Sequence, residues 1–222
     1  DLQWHRGDLA LCVFSESFWS EYQTFNRKAN GRKVVLGVHS LSELEDTKQT
    51  FDILELYNHP DFSASNYDND IALIKLDRPF NISAAVKAVE FLRAGGTNPD
   101  TDAEVDTAGW GSLNNLGSRP DKLREVVIEV FSSARCRRSD YYGRKFTANM
   151  ICAHTVLRKT AVMANSGGPL LYNGIAVGIT SNGGKKCGQL KKPGIYISSP
   201  NTQSGSTAPW PYSPLPALEQ SS

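Results

Sequence analysis

From Lys33 to about Ile197 the chain alternates short apolar stretches with clusters of Gly, Pro, Asn and Asp. The stretches "KVVLGV", "FDILEL", "IALIKL", "EVVIEV", "PLLYNGIAVGIT" and "GIYI" are too brief and too closely bounded by turn formers for helices, and they predict antiparallel strands. Asn173-Gly174 lies between two apolar runs and predicts a two-residue hairpin turn, since both central positions of that turn take positive φ. Helical periods are nearly absent; only "SSARCRRSDYYG" suits a short helix. The pattern defines an all-β chain whose spacing fits barrels or sandwiches.

The ends differ from this middle. Residues 200–222, "PNTQSGSTAPWPYSPLPALEQSS", hold five of the eleven prolines and many Ser and Thr. They predict an extended, disordered tail, because proline removes a backbone donor and fixes φ. The first thirty residues show no sustained period and predict no element.

The 222 residues, 40% hydrophobic and 21% charged, suffice to bury one or two cores. A net charge of +1 with no long basic run argues against a nucleic-acid partner. No apolar stretch approaches the roughly 18 residues of a membrane span, and "DLQWHRGD" is too polar for a signal peptide, which a mature chain would have lost. Cys12, Cys136, Cys152 and Cys187 are too few and too far apart for a CxxC metal site. Asn81-Ile82-Ser83 is a glycosylation sequon, consistent with secretion. Arg6-Gly7-Asp8 is an integrin-type tripeptide, too short to carry an adhesive function, and "KKCGQLKK" suits a solvated loop.

"YDNDIALIKL", "DTAGWGSL", "NSGGPLL", "GITSNGGKKCG" and "KKPGIY" stand in the order found in trypsin- and chymotrypsin-like serine proteases, and the chain resembles that family over residues 31–154 and 166–197. "VVLGVHSLSE", "NNLGSRPDKL" and "SDYYGRKFTANMICA" resemble its complement factor D branch. The resemblance implies a secreted, extracellular, monomeric protease domain over 1–199, with the tail following. It implies two six-stranded antiparallel β-barrels packed side by side, the first over about 1–100 and incomplete, the second over about 101–199 and beginning its strands near Val105. The family's C-terminal helix would be replaced by the proline-rich tail. No cofactor and no metal are implied; the partner is a protein substrate, for which the complement factor D branch points to complement factor B.

Acyl transfer by serine needs a hydroxyl, a base to take its proton, an acid to orient the base, and donors for the oxyanion. By resemblance Asp70 is the orienting acid and Ser166 the nucleophile, with the backbone N–H groups of Ala164 and Ser166 facing the oxyanion. The family's base histidine falls at Gln23, whose amide cannot accept the serine proton near neutral pH. His5, His39, His59 and His154 do not match that position. Thr160 replaces the aspartate at the base of the specificity pocket, whose remaining walls would be Thr180, Ser181, Gly183 and Gly194. Asn165 replaces the aspartate that pairs with the amine freed on activation. Val162 and Thr24 stand where partners of Cys187 and Cys12 would be, Val105 and Tyr172 together replace another cysteine pair, and Cys136 and Cys152 should be bridged.

These departures fall in blocks at residues 1–24, 155–165 and 198–222, against near-typical sequence elsewhere. Three readings follow: a protease homologue impaired by loss of its base, an active secreted serine endopeptidase of the complement pathway, and a non-catalytic secreted binding module.

Overall fold

In the computed structural model, residues 9–14, 31–112, 118–154, 167–182 and 191–200 are described. They form ten strands: β1 Leu9–Phe14, β2 Lys33–Leu36, β3 Gln49–Asn58, β4 Ala72–Leu76, β5 Glu104–Gly109, β6 Arg124–Phe131, β7 Met150–His154, β8 Pro169–Tyr172, β9 Ile175–Asn182 and β10 Gly194–Ser198. One helical turn, α1 Ser133–Cys136, and a 3-10 turn at Gly143–Lys145 lie between β6 and β7. Five of the six predicted stretches contribute strands β2, β3, β4, β6 and β10, and the sixth supplies the β8–β9 hairpin.

The N-terminal half is an antiparallel sheet in the order β1-β4-β3-β2. β4 is buried at every position except Lys75 because it is a central strand covered on both faces, so its apolar residues run without alternation. Val34, Phe51, Ile74 and Leu76 form the core of this half. β1 was not predicted: "LALCVF" is apolar but does not alternate, and its place comes from pairing with β4, Leu9 opposite Lys75 and Ala10 opposite Ile74. Four strands, rather than six, make up this half among the described residues.

The C-terminal half is a closed six-stranded barrel, β10-β7-β6-β5-β8-β9, as the resemblance implies. Val105, Ile128, Val130, Ile151, Leu170, Val177 and Tyr196 fill one cluster of its core. Val105 is buried in that cluster and Tyr172 packs against it, so apolar packing occupies the region where the family's cysteine pair would stand. The β8–β9 turn has φ of 51° at Asn173 and 79° at Gly174, the conformation that Asn-Gly predicts. α1 starts at Ser132, whose side chain accepts a hydrogen bond from the Arg135 N–H. A disulfide joins Cys136 of α1 to Cys152 of β7, beneath Phe146, Met150 and Ile195.

Several backbone and side-chain bonds join the two halves. The Leu41 N–H donates to the Asp121 carbonyl at 3.0 Å and the Leu123 N–H to the His39 carbonyl at 2.8 Å. On another side, Phe91 bridges Ala176, with the Ala176 N–H donating to the Glu90 carbonyl at 2.8 Å. Residues 199 and 200 have helical backbone; the predicted tail beyond them lies outside the described residues.

Candidate active site

Asp70 is fully buried where the chain enters β4. The approach to it is strained: Tyr67 and Asn69 both adopt left-handed backbone, φ 60° and 53°. Such conformations cost non-glycine residues about 1 kcal/mol or more, less for asparagine, and persist where surrounding bonds hold them. Those bonds are present. The Asn69 Nδ2 donates to the Asp61 carbonyl at 3.1 Å, and Asn149 Nδ2, from the segment leading into β7, donates to Asn69 Oδ1 at 3.1 Å. Thr147 Oγ1 donates to Asp68 Oδ1 at 2.6 Å. The C-terminal half thus grips the segment that carries Asp70.

Ser181, in β9, donates its hydroxyl to Asp70 Oδ2 at 2.5 Å. Both residues are essentially without solvent exposure, so water cannot replace this bond, and a hydrogen bond to a carboxylate in such surroundings is stronger than a neutral one. The resemblance made Ser181 and Thr180 pocket walls; in the structure both are buried and their hydroxyls are directed to other tasks. Thr180 holds the turn that follows Ser166. Its N–H and its Oγ1 both donate to the Gly168 carbonyl, at 2.8 and 3.0 Å, and its carbonyl accepts from the Gly167 N–H at 2.7 Å. Gly167 has φ 92°, which an L side chain rarely adopts, and this explains the glycine after the serine.

Gly194, in β10, faces the Tyr196 ring: an added Cβ would lie 3.1 Å from its Cε2. Tyr196 is buried beside the Thr107 and Thr180 hydroxyls; burial raises its phenol well above the usual value, and the two hydroxyls work in the opposite direction. Ser166, Gln23, Thr160, Ala164 and Gly183 lie outside the described residues.

The described histidines have their own roles. His59 is buried and its Nδ1 accepts the Asp61 N–H at 3.1 Å, a turn function. His154 packs edge-on against Phe131 at 4.9 Å in the C-terminal barrel, and the carbonyl of His39 receives the Trp110 Nε1–H at 3.2 Å. Asn81 is exposed, and its backbone is pinned on both sides by Gln49, which accepts from its N–H at 2.9 Å and donates to its carbonyl at 2.8 Å. The bonds of Ser181, Asn149 and Thr147 to the segment ending at Asp70 were not predicted, since they join residues about 80 to 110 positions apart and leave no mark in local periodicity.

A closed antiparallel barrel beside a second antiparallel sheet, with a buried carboxylate at their seam and a clamped Gly167-Gly168 turn, is the arrangement of a chymotrypsin-like peptidase. The chain belongs to the trypsin family: the profile described as Trypsin matches residues 25–204. It is 35% identical over 174 residues to Trypsin-3 of Salmo salar, covering 78% of this chain and 71% of that one. It is 34% identical over 165 residues to Serine protease 57 of Rattus norvegicus, covering 73% of this chain and 59% of the relative, so the chain spans about three-fifths of that protein's length. Among solved structures it resembles neuropsin, a serine protease expressed in the limbic system of mouse brain, with TM-score 0.71, 28% identity, and coverage of 85% of this chain and 79% of that one. None of these relatives is a complement factor D.

Among the described residues no helix is long and apolar enough to cross a membrane.

Proposed function

We propose that this chain is a serine protease homologue that retains the nucleophile position and the orienting acid of its family but lacks the base, and that it engages protein ligands with little or no turnover. The observation that carries this reading is Gln23. By the resemblance it falls where the family's histidine belongs, two residues before the stretch 25–204 over which the family matches.

The chemistry follows from the parts. In an active triad the acid holds the imidazole in the tautomer that accepts the serine proton. Asp70, with its Ser181 bond, suits that orienting task. A glutamine amide has no basic lone pair for the proton of Ser166, and loss of a triad histidine costs on the order of 10⁶ in turnover. Thr160 in place of the pocket aspartate removes the charge that would select Arg or Lys side chains. Asn165 removes one half of the activation ion pair.

The Cys136–Cys152 disulfide supports an oxidising, secreted setting. The segments that resemble complement factor D make complement factor B the first protein ligand to try.

A fluorophosphonate probe tests the catalytic part. The wild-type chain should label no faster than Ser166→Ala, and Gln23→His should raise labelling. Labelling of wild type that Ser166→Ala abolishes would refute impairment and favour the second reading, an active secreted endopeptidase. The intact Asp70–Ser181 bond and the clamped Gly167–Gly168 turn are the observations on that side.

A further inference from the structure

The C-terminal half gathers positive charge that the sequence scatters. Residues 133–146 contain Arg135, Arg137, Arg138, Arg144 and Lys145 against a single acid, Asp140, in a chain whose net charge is only +1. Lys191 and Lys192, some fifty residues further on, join them in space. Lys191 Nζ lies 3.3 Å from Asp140 Oδ2, Lys192 Nζ donates to the Tyr141 carbonyl, and the Tyr142 hydroxyl donates to the Pro193 carbonyl. The β7–β10 pairing and the Cys136–Cys152 bridge fix the two segments to one another.

The cations on this face are oriented rather than loose. Arg135 lies over the Phe131 ring, Arg137 over Phe146 and Lys192 over Tyr142, at 5.9, 5.9 and 4.7 Å from the ring centres. Asp140 offsets only part of the charge, since Arg138 and Lys191 share it. Arg144 and Lys145 are exposed and have no ion pair among the described residues. Such a face attracts a polyanion, releasing counterions as it binds.

We propose that this face, residues 133–146 with 191–192, binds a sulfated polysaccharide. Two observations choose that polyanion. Among the described residues the large exposed hydrophobics, Val35, Leu41, Leu44, Leu54, Ile82, Val89 and Val127, all lie outside the two segments, so these segments offer no apolar centre for a protein interface. Its aromatic rings are already covered: Phe131 is in contact with Arg135, Tyr141 and His154, and Phe146 and Tyr142 carry their own cations. That leaves no stacking platform for nucleic-acid bases. The disulfide adds a compartment argument, because an oxidising setting is one in which sulfated polysaccharides are the abundant polyanions.

The full chain binding to heparin tests the assignment. Affinity should fall about a hundredfold between roughly 50 and 200 mM NaCl, as expected for about five neutralised charges. The variant Arg144→Gln/Lys145→Gln/Lys191→Gln should bind roughly a hundredfold more weakly at about 0.1 M salt, whereas Lys48→Gln/Lys87→Gln, on the N-terminal half, should be unchanged. A second readout needs no variant: heparin should shield Lys145, Lys191 and Lys192 from acetylation and leave Lys48 and Lys87 reactive. Absence of heparin binding at about 0.1 M salt, equal losses in both variants, or shielding of the wrong lysines overturns the proposal. Tighter binding of single-stranded RNA or polyglutamate of equal charge overturns it in favour of nucleic acid or an acidic protein. None of these outcomes depends on whether Ser166 is reactive.

Discussion

Replacing Ser181 by alanine removes a hydroxyl that donates to Asp70 across the seam between the two halves. Asp70 and Ser181 have 0% and 1% exposure, so solvent does not restore the bond. A hydrogen bond to a charged group contributes about 1.5–3 kcal/mol. In a chain of this size each kcal/mol moves the midpoint by about 2–4 °C, so the variant should melt roughly 3–12 °C lower. Chemical denaturation should give the same loss with an unchanged m value. In an Asp70→Asn background the same substitution should cost only about 1 kcal/mol, an ordinary neutral hydrogen bond, and the difference between the two backgrounds is the coupling to the charge. A loss under about 0.5 kcal/mol in the wild-type background, or equal losses in both, would show that Ser181 does not hold Asp70.

The other predictions are independent of that pair. Replacing Cys136 and Cys152 together by serine should cost about 3 kcal/mol, read from the denaturation midpoint, since the bridge closes a loop of 16 residues. The Glu45 carboxylate is held below its usual pKa by the Ser40 and His39 N–H groups, and Asp121 by the Ser40 and Ser42 hydroxyls. Their contribution to stability is therefore complete above the ordinary carboxylate range and is lost as pH falls through the lower folded values; the unfolding midpoints of wild type and Glu45→Gln should converge as pH drops below about 4. Expressed in secretory cells behind a supplied leader, the chain should carry an endoglycosidase-sensitive glycan at Asn81 that Ser83→Ala removes; an unchanged mass on enzyme treatment would refute this. Genomic sequence across the borders near residues 24, 155 and 198 should reveal exon or frame boundaries there, and uninterrupted coding would refute a separate origin of those blocks.

What was legible in the chain was whatever is written locally. Short apolar runs bounded by turn formers marked β2, β6 and the central strand β4, and Asn173-Gly174 marked the β8–β9 hairpin because few other residue pairs tolerate positive φ twice in succession. β5, "EVDTAG", is polar enough to hide in a scan for apolar runs, and only its family motif pointed to it. The site was legible in part. Motifs placed Asp70, but the residues that hold it, Ser181, Asn149 and Thr147, come from the other half of the molecule, and their bonds depend on how two sheets meet rather than on neighbouring sequence. The basic face was invisible for the same reason, being the sum of two segments that are each unremarkable alone.

Thr180 clamps the turn after Ser166 and Ser181 holds Asp70, and the two are consecutive residues of β9. Side chains alternate along a strand, so one residue points to each partner, and the register of β9 works as a common ruler for groups almost a hundred positions apart in sequence. A slip of one residue would exchange the two directions and release both partners together. That register is set by the turn at Asn173-Gly174 together with the irregularity between Leu170 and Leu171. Lengthening this exposed turn by a single residue would therefore disturb the spacing of Asp70 and the Gly167-Gly168 turn without touching either.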